Sequence, residues 1–379
     1  KKNGQQITEG YTVTWEHDGE LHKVIVDLTG INGTEENDVY TVESHYQDLA
    51  GNQLDYEGAS MVVDKVSPVV TRIVTSENLN GEPDGSPYDE TDYYSNKTIT
   101  TVITIEDENL PSDSTEIWKT SMKKDGNDVE GDLRTAESGQ ITFTMEADGR
   151  YSDLKAAGTD LAGNPLVLAE NGYEHEMWDE AEAENGTVSL SYARVVDTVA
   201  PVAVITYTSK ADPNGYGTEY YYNKDITAEI AVTDKYGNSS CGIDLTKLFT
   251  VCRKDGQGTA ENISSEKTVY KIDKEDGRYD LNIYGIDRAG NALTVREQTP
   301  GTMDGFKENV SGKDGDAIPY IIIRDTTPPV FTFQVIPDAA VTNQKKQEDG
   351  RYYFNGDYRV TVVVEDTNFD AEKVFLDKG

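Results

Sequence analysis

The strongest constraint on the fold is a pattern that recurs at long intervals along this 379-residue chain. An Asp stands four residues before a Pro and an apolar run, at Asp64, Asp197 and Asp325. Successive copies are roughly 130 residues apart, and self-similarity at a fixed long period indicates one structural unit per repeat. The repeat therefore predicts several similar domains in a row.

A second landmark follows each of these aspartates. It is a pair of aromatic residues, at 93–94, 221–222 and 352–353, followed by a segment in which apolar residues alternate with polar ones up to an Asp. Alternation with a period of two is typical of a strand with one buried face. The residues predicted to share that face are Ile99, Thr101, Ile103 and Ile105 before Asp107; Ile226, Ala228, Ile230 and Val232 before Asp234; and Tyr358, Val360, Val362 and Val364 before Asp366.

The third landmark is Asp-Gly-Arg-Tyr, a strand, and then Asp-x-Ala-Gly-Asn. It occupies residues 148–164 and 276–291, and residues 40–52 carry a shorter version. Gly and Asn tolerate positive φ, so each copy is expected to end in a tight turn that returns the chain as a final strand. That final strand leads directly into the next Asp and Pro. Because Pro is excluded from central strands, the Pro marks a junction between domains, and the linkers are expected to be short.

The three landmarks define a domain frame. Two complete units are predicted at 65–197 and 198–325. A partial unit at 1–64 carries only the later strands, and a partial unit at 326–379 carries only the first strands. We expect the chain to belong to a longer array. Pairing of the two partial units between different chains is an alternative.

Composition supports β structure throughout. The chain has 23 Tyr, 33 Gly and 12 Pro, which fits many short strands separated by turns. The one helix-like stretch, residues 174–184, is acidic and has no apolar stripe, so we predict a loop insertion there with at most a turn or two of helix.

Charge limits the partners. The formal net charge is −36, from 70 acidic and 34 basic residues, which repels nucleic acid and anionic lipid surfaces. No run of about 18 apolar residues occurs, so no membrane insertion is expected within this sequence. An acidic surface favours solubility, or the binding of divalent cations such as calcium.

In this order, the motifs resemble the bacterial immunoglobulin-like tandem repeats of Gram-positive (Firmicute) cell-surface proteins. The segments Asp197-Thr198-Val199-Ala200-Pro201 and 221–227 (Tyr-Tyr-Asn-Lys-Asp-Ile-Thr) carry the resemblance, whereas residues 64–68 match more loosely. The resemblance implies an all-β chain of tandem immunoglobulin-like β-sandwich domains, located outside the cell, either on its surface or secreted.

It also implies a non-catalytic structural spacer or stalk. Two alternatives stay open at this point. One is an adhesin or glycan-binding module whose partner is a host or cell-wall glycan or protein. The other is the accessory region of a large secreted carbohydrate-active enzyme or protease. One fold hosts many functions, so the resemblance does not decide among these.

The Tyr of each Asp-Gly-Arg-Tyr, Tyr151 and Tyr279, stands where immunoglobulin-like sandwiches place the tyrosine corner, whose ring packs on the core and whose hydroxyl bonds nearby backbone. We therefore predict a structural anchor at both positions. The aspartates that end the alternating strands are predicted to cap turns by accepting backbone N–H bonds.

Calcium is the sharper hypothesis for the acidic loops, although the sequence assigns no metal ligands. The loops in question are Asp366-Asn368-Asp370 and Glu106-Asp107-Glu108-Asn109 with Asp113, which place oxygen side chains close together. The middle copy, Asp234-Lys235-Tyr236, departs from this pattern.

Cys241 and Cys252 are the only cysteines, and the sequence leaves a disulfide and two free thiols equally open. Zinc is not expected, because the four His are scattered.

The sequence contains no recognisable catalytic motif, so we predict that the chain is not an enzyme. Residues 175–179 (His-Glu-Met-Trp-Asp) begin like a zinc-protease signature but have Asp179 where the second His must stand. Neither a Gly-x-Ser-x-Gly elbow nor a phosphate loop occurs. Of the three Trp, Trp15 and Trp118 are expected to pack in a core or at an edge, and Trp178 is the candidate for stacking on a sugar ring.

Overall fold

The computed structural model describes most of the chain: residues 1–30, 38–76, 78–82, 84–111, 118–129, 134–137, 139–175, 180–234, 243–263, 265–316, 320–337, 344–346 and 348–375. Within these ranges the secondary structure is β, apart from two 3-10 turns at Leu245–Lys247 and Ala371–Lys373. No helix in the described ranges has the length and apolar character needed to cross a membrane.

The first half of the chain contains seventeen strands: β1 (Thr12–Asp18), β2 (Leu21–Asp27), β3 (Asp38–Gln47), β4 (Gln53–Val63), β5 (Val69–Thr75), β6 (Asp92–Ser95), β7 (Ile99–Glu106), β8 (Lys119–Lys124), β9 (Asn127–Asp128), β10 (Arg134–Glu137), β11 (Gln140–Met145), β12 (Gly149–Ala157), β13 (Val167–Leu168), β14 (Glu174–His175), β15 (Ala181–Glu184), β16 (Thr187–Leu190) and β17 (Ala193–Val196), counted within the described residues.

The second half contributes the remaining described strands: β18 (Val202–Ser209), β19 (Asn214–Tyr216), β20 (Glu219–Tyr222), β21 (Ile226–Thr233), β22 (Leu248–Lys254), β23 (Glu261–Asn262), β24 (Lys267–Ile272), β25 (Gly277–Gly285), β26 (Leu293–Gln298), β27 (Phe306–Ser311), β28 (Ile321–Arg324), β29 (Val330–Pro337), β30 (Gln344–Lys346), β31 (Tyr352–Phe354) and β32 (Tyr358–Glu365).

Strands β5 to β17 form the first sandwich. One sheet has the order β10-β11-β7-β5-β13, with β14 also on β5. The other has the order β15-β16-β12-β17-β6, with β8 on β12 and β9 on β8. Both sheets contribute to one hydrophobic cluster, which includes Ile103 and Phe143 from the first sheet and Tyr93 and Leu154 from the second. The alternation predicted for 99–105 is confirmed, because Ile99, Thr101, Ile103 and Ile105 are all buried.

Strands β18 to β28 form the second sandwich, from a sheet of order β24-β21-β18-β26-β27 and a sheet of order β19-β20-β28-β25-β22-β23. The predicted inner face of β21 is again buried, at Ile226, Ala228, Ile230 and Val232.

Each sandwich is closed by parallel pairing between an early and a late strand. In the first, β5 pairs with β13 and β6 pairs with β17. In the second, β18 pairs with β26 and β20 pairs with β28. Two mainly antiparallel sheets closed in this way around one core define an immunoglobulin-like β-sandwich. The predicted fold class is confirmed.

The flanking segments form only two-stranded pairs in the described residues: β1-β2 and β3-β4 at the amino end, β29-β32 and β30-β31 at the carboxyl end. The strand predicted at 358–364 is present, but its expected burial is wrong, since Tyr358, Val360 and Val362 are exposed. No second sheet of this segment lies over that face in the described ranges, so the apolar side chains meet solvent.

The loop predicted for residues 174–184 is wrong at both of its ends, which form strands, whereas residues 176–179 lie outside the described residues. Glu174–His175 forms β14 and pairs with Arg72 and Ile73, and Ala181–Glu184 forms β15 at the edge of the opposite sheet. The insertion adds a strand to both sheets because its backbone groups are satisfied by ladder partners.

The chain divides into two compact units. Unit 1 comprises Lys1–Ala200 with Asp234–Ile243 and Asp287–Asn291, and unit 2 comprises Pro201–Thr233, Asp244–Ile286 and Ala292–Gly379. Unit 1 thus contains the first sandwich together with two loops that follow β21 and β25 in the sequence.

Candidate functional site

The three landmarks of each repeat bring three aspartates together. Asp64, Asp107 and Asp160 form one cluster, and Asp197, Asp234 and Asp287 form another. Within each cluster, one carboxylate oxygen of every member lies within 4.8 Å of the others. Asp197 and Asp287 are fully buried and Asp234 is 4 % exposed. All six residues belong to unit 1.

Each cluster has the same origin in the sequence. One Asp ends the final strand before the Pro, one follows the alternating strand (β7 or β21), and one opens the Asp-x-Ala-Gly-Asn turn. These three points are far apart in the chain. In the first cluster, Asp107 and Asp160 follow β7 and β12, which belong to opposite sheets of the first sandwich, and Asp64 follows β4, from which the chain enters that sandwich. In the second cluster, Asp234, Asp287 and Asp197 follow β21, β25 and β17 in the same way.

The Asn of the turn ties the cluster to the segment of chain that enters the same sandwich. Asn291 donates its backbone N–H and its side-chain amide to the Asp287 carboxylate, at 2.8 and 2.9 Å. The same amide donates to the carbonyl oxygens of Asp197 (2.8 Å) and Val199 (3.3 Å). The first cluster repeats this arrangement, with Asn164 bonded to the Asp160 carboxylate and to the carbonyls of Asp64 and Val66.

The first cluster has one further amide donor. Asn109 donates its side-chain N–H to Asp64 Oδ2 at 2.7 Å and its backbone N–H to Asp107 at 2.6 Å. The capping role predicted for Asp107 is therefore confirmed. In the second cluster the residue at the place of Asn109 is Tyr236, which lies outside the described residues.

Burial dominates the electrostatics of these clusters. It raises the pKa of Asp287 to about 6, against the hydrogen bonds from Asn291, and the neighbouring Asp234 and Asp197 raise it further. The pKa of Asp107 is raised for the same first reason, with smaller contributions from Asp64 and Asp160. Three carboxylates confined this closely are relieved of mutual repulsion by a proton or by a bound cation.

The donor set suits a hard divalent cation. Calcium takes six to eight oxygen ligands at about 2.3–2.6 Å, including carboxylates and backbone carbonyls. Carboxylate oxygens within 4.8 Å of one another can share such an ion. Asp197, Asp234 and Asp287 are the residues that would hold it in the second cluster.

The loops considered from the sequence behave differently from expectation. Asp107 joins Asp64 and Asp160, rather than a run of neighbouring acids. Asp370 accepts hydrogen bonds from the Tyr216 hydroxyl and from the backbone N–H of Glu372. Asp113 lies outside the described residues. Sequence reasoning found all three landmarks but missed that their aspartates converge, because it compared neighbours in the chain and not strand ends.

The tyrosine corner is confirmed in both sandwiches. The Tyr151 hydroxyl donates to the Ala147 carbonyl and the Tyr279 hydroxyl donates to the Glu275 carbonyl, each at 2.8 Å and each four residues upstream. Both hydroxyls are therefore engaged in structural bonds.

The Trp and Cys residues singled out in the sequence lie in different surroundings. Trp118 is buried in the first core, whereas Trp15 is 62 % exposed on the β1-β2 hairpin. Trp178 and Cys241 lie outside the described residues, so the sugar-stacking and disulfide hypotheses stay predictions. Burial raises the pKa of the Cys252 thiol to about 11.

Further contacts within unit 1 hold the turn Asp287–Asn291. The turn Asp287–Asn291 packs on the first sandwich, where the Arg288 guanidinium lies 5.2 Å from the ring centre of Tyr88 and 5.8 Å from that of Tyr94. Asn80 donates its side-chain N–H to the Ala289 carbonyl at 2.9 Å. The turn that carries Asp287 is therefore held on both of its sides.

No protein-family model matches the chain, and no curated protein matches it. Among solved structures it is similar to the fibronectin(III)-like modules of Clostridium thermocellum CbhA, with 11 % identity over 66 % of this chain and 93 % of that one and a TM-score of 0.22. It is also similar to a 1.5-MDa bacterial ice-binding adhesin (11 % identity, 73 % and 77 % covered, TM-score 0.23) and to the Escherichia coli adhesin FdeC (13 %, 78 % and 90 %, TM-score 0.24). The fold assignment rests on the strand topology of the chain itself.

Proposed function

We propose that this chain is a non-catalytic spacer in an extracellular bacterial surface protein, in which successive sandwiches are joined by short, tied junctions. The observation that supports it is the pair of aspartate clusters, each of which includes the Asp that precedes the first strand of a sandwich. A spacer needs junctions that resist bending, and a five-residue linker alone does not provide that stiffness.

Further hydrogen bonds support the same role. Asp148 accepts hydrogen bonds from the backbone N–H and the hydroxyl of Thr198, at 3.0 and 2.9 Å. Asp276 does the same for Thr326, at 2.9 and 3.0 Å. Thr198 and Thr326 directly follow Asp197 and Asp325. Each is held by the first Asp of an Asp-Gly-Arg-Tyr segment.

Within this proposal, each complete cluster binds one divalent cation. The cation offsets the repulsion among three buried carboxylates and strengthens the junction only when it is bound. Calcium is the natural choice for an extracellular protein with all-oxygen ligands. The proposed partners of the array, a host or cell-wall glycan or protein, do not enter this site.

The test compares thermal unfolding in calcium with unfolding in chelator. A ligand that binds only the folded state raises the midpoint, and at one hundred times its Kd it adds about 2.7 kcal/mol. We expect calcium to raise the unfolding midpoint of the native chain, and the shift to shrink in Asp287→Asn. Asp304→Asn, an exposed Asp outside the clusters, is the matched control and should keep the full shift.

Equal midpoints in calcium and in chelator would remove the cation from the proposal. The spacer role is tested separately on a glycan array, where the full chain should show no specific binding. Specific binding on a glycan array would instead favour an adhesin.

A further inference from the structure

The turn Asp287–Asn291 differs at a single residue from the two other turns that carry the same motif. Residues 48–52 and 160–164 both read Asp-Leu-Ala-Gly-Asn, whereas residues 287–291 read Asp-Arg-Ala-Gly-Asn. The three turns are folded alike, because in each of them the last Asn donates its backbone N–H to the first Asp carboxylate at 2.8 Å. Recognition of one turn in preference to the others therefore depends on its second residue.

In the turn Asp287–Asn291 that second residue is Arg288, and its side chain contacts the first sandwich. The contacting residues there are Tyr88, Asp89 and Tyr94, which we call the arginine site. We propose that this site recognises an arginine-bearing turn, and that Arg288 selects which turn of the chain docks on the first sandwich.

Two tyrosines form the aromatic part of the arginine site. The ring centres of Tyr88 and Tyr94 lie 5.5 Å apart with their planes at 72°. The Arg288 guanidinium lies 5.2 Å from the first centre and 5.8 Å from the second. A cation is attracted to the face of an aromatic ring, more strongly where water is excluded, and both rings are buried. A leucine in this place has no charge with which to use that attraction.

Asp89 forms the acidic part of the site. Arg288 donates a guanidinium N–H to the Asp89 carboxylate at 3.2 Å. Burial lowers the pKa of Arg288, but hydrogen bonds and charge interactions with Tyr94 and Asp89 outweigh it, so that the pKa is raised overall. The charged guanidinium is therefore stabilised in the docked position.

The backbone that presents Asp89 has an unusual conformation. Asp89 and Glu90 both lie in the left-handed region, with φ of 52° and 60°. Other turns of this kind, such as Asp125-Gly126 and Asp255-Gly256, place Gly second, because a side chain is disfavoured there. Glu90 thus keeps the turn in a conformation that its residue type disfavours, as is common at recognition sites, and Asp89 faces Arg288 as a result.

The remaining contacts of the turn do not discriminate. The Ala289 side chain is buried in a small cluster with Tyr88, Tyr94 and Val195. Asn80 donates its side-chain N–H to the Ala289 carbonyl at 2.9 Å. Because all three turns carry Ala in this place, these contacts would accept any of them. Selectivity is therefore assigned to the residue before the Ala.

A chain of similar repeats needs such selectivity, because more than one of its turns fits the same backbone contacts. Specificity is obtained by attraction to the correct partner together with a penalty against the others. A leucine-bearing turn on the arginine site would leave Asp89 without its cation. This inference goes beyond the spacer role and does not depend on a bound metal ion.

The decisive experiment measures undocking of the turn by thiol labelling. Cys241 and Cys252 are replaced by Ser, and Val195→Cys places a smaller side chain in the cluster that Ala289 covers. Labelling by N-ethylmaleimide then requires the turn to open. We expect Arg288→Leu to raise the labelling rate about tenfold, and Arg288→Lys, which keeps the charge, to raise it less.

The matched control is Leu161→Arg, the reverse exchange in the turn at 160–164, which should leave the labelling rate unchanged. Asp89→Asn should raise the rate when residue 288 is Arg and have no effect in Arg288→Leu, because the two residues act as a pair. Unchanged circular dichroism and unfolding transitions separate undocking from misfolding. Equal labelling rates for Arg288 and Arg288→Leu would overturn the proposal.

Nuclear magnetic resonance of the arginine side chains gives a second readout without the Val195→Cys change. The Nε–H signal of Arg288 is identified by its loss in Arg288→Leu. Ring currents of Tyr88 and Tyr94 should shift it away from the position of a solvent-exposed arginine, and Asp89→Asn should move it back toward that position. A signal at the exposed position in the native chain would equally overturn the proposal.

Discussion

At the scale of single residues, the tyrosine corner is a hydrogen bond that closes a short loop against a packed ring. Tyr151 is 2 % exposed, and burial raises the pKa of its hydroxyl, so the group stays protonated and can donate to Ala147 at any ordinary pH. Tyr279 makes the equivalent bond with a less buried ring. The two sandwiches therefore provide the same bond in two environments.

We predict that Tyr151→Phe lowers the free energy of unfolding of the first sandwich by about 1 kcal/mol, the usual net value of one hydrogen bond. The loss is larger if the Ala147 carbonyl, which accepts this bond, is left without a donor. Tyr279→Phe should have a smaller effect. Denaturant titration with unchanged m-values provides the measurement. Equal and negligible effects at both sites would show that the ring alone anchors the loop.

A second residue-scale feature is a buried acid in the second sandwich. Glu297 on β26 is fully buried and accepts a hydrogen bond from Tyr207 at 2.5 Å. Burial raises the pKa of Glu297 to about 8, although the Tyr207 bond and the positive charge of Lys307 act in the opposite direction. The carboxyl is therefore protonated in the folded protein at neutral pH, whereas it is ionised in the unfolded chain.

This difference in pKa makes the free energy of unfolding depend on pH. Between the unfolded pKa, which is 4.5, and the folded pKa of about 8, the folded state binds the extra proton, so stability falls as pH rises through this window. We predict that Glu297→Gln removes this slope and stabilises the protein at pH 8 by about 1–3 kcal/mol. Unfolding midpoints measured across this window provide the test. A variant with the slope of the native protein would mean that Glu297 is ionised when folded.

At the scale of elements, the alternating strand after the aromatic pair is the best predicted feature. Its register is specified by the sequence, because a shift by one residue would move every apolar side chain to the opposite face. Ile103 on β7 and Val362 on β32 occupy the same place in the repeat, yet Ile103 is fully buried and Val362 is 37 % exposed. The alternation predicts which face is apolar, but burial depends on whether an opposing sheet is present.

This difference predicts unequal effects of truncation. Ile103→Ala should lower the free energy of unfolding by about 2–5 kcal/mol, the range for removing a buried aliphatic side chain. Val362→Ala should change it by less than about 0.5 kcal/mol, because the side chain is already partly in solvent. Equal destabilisation by both substitutions would show that Val362 is packed as tightly as Ile103, against the exposure seen in the structure.

The strands and turns were predictable because their signals are local. Alternating residues, Gly-Asn turns and Pro junctions act within a few positions, and the strands that they predict are present. The convergence of Asp197, Asp234 and Asp287 was not predictable in this way, because it depends on which strand ends share an edge. The strands at residues 174–175 and 181–184 were not predictable for a related reason: a short acidic segment has no periodicity of its own, and these residues form strands because they pair with β5 and β16.

At the scale of the whole molecule, the chain has separate hydrophobic cores in its two compact units. Independent cores unfold as separate cooperative transitions unless the contact between them is large. We predict at least two transitions in calorimetry. Ile103→Ala should lower the temperature of one of them, and the transition that responds to Glu297→Gln should be a different one. A single transition that both substitutions shift as a whole would contradict this prediction.

The bond from the Asn291 side chain to the carbonyl of Asp197 joins residues 94 positions apart. The donor is synthesised well after the acceptor, so the segment around Pro201 lacks this hydrogen bond until the turn Asp287–Asn291 has been made. Each bond of this kind therefore forms only after most of the following repeat has been synthesised, so the order of synthesis sets the order in which the Pro segments are fixed.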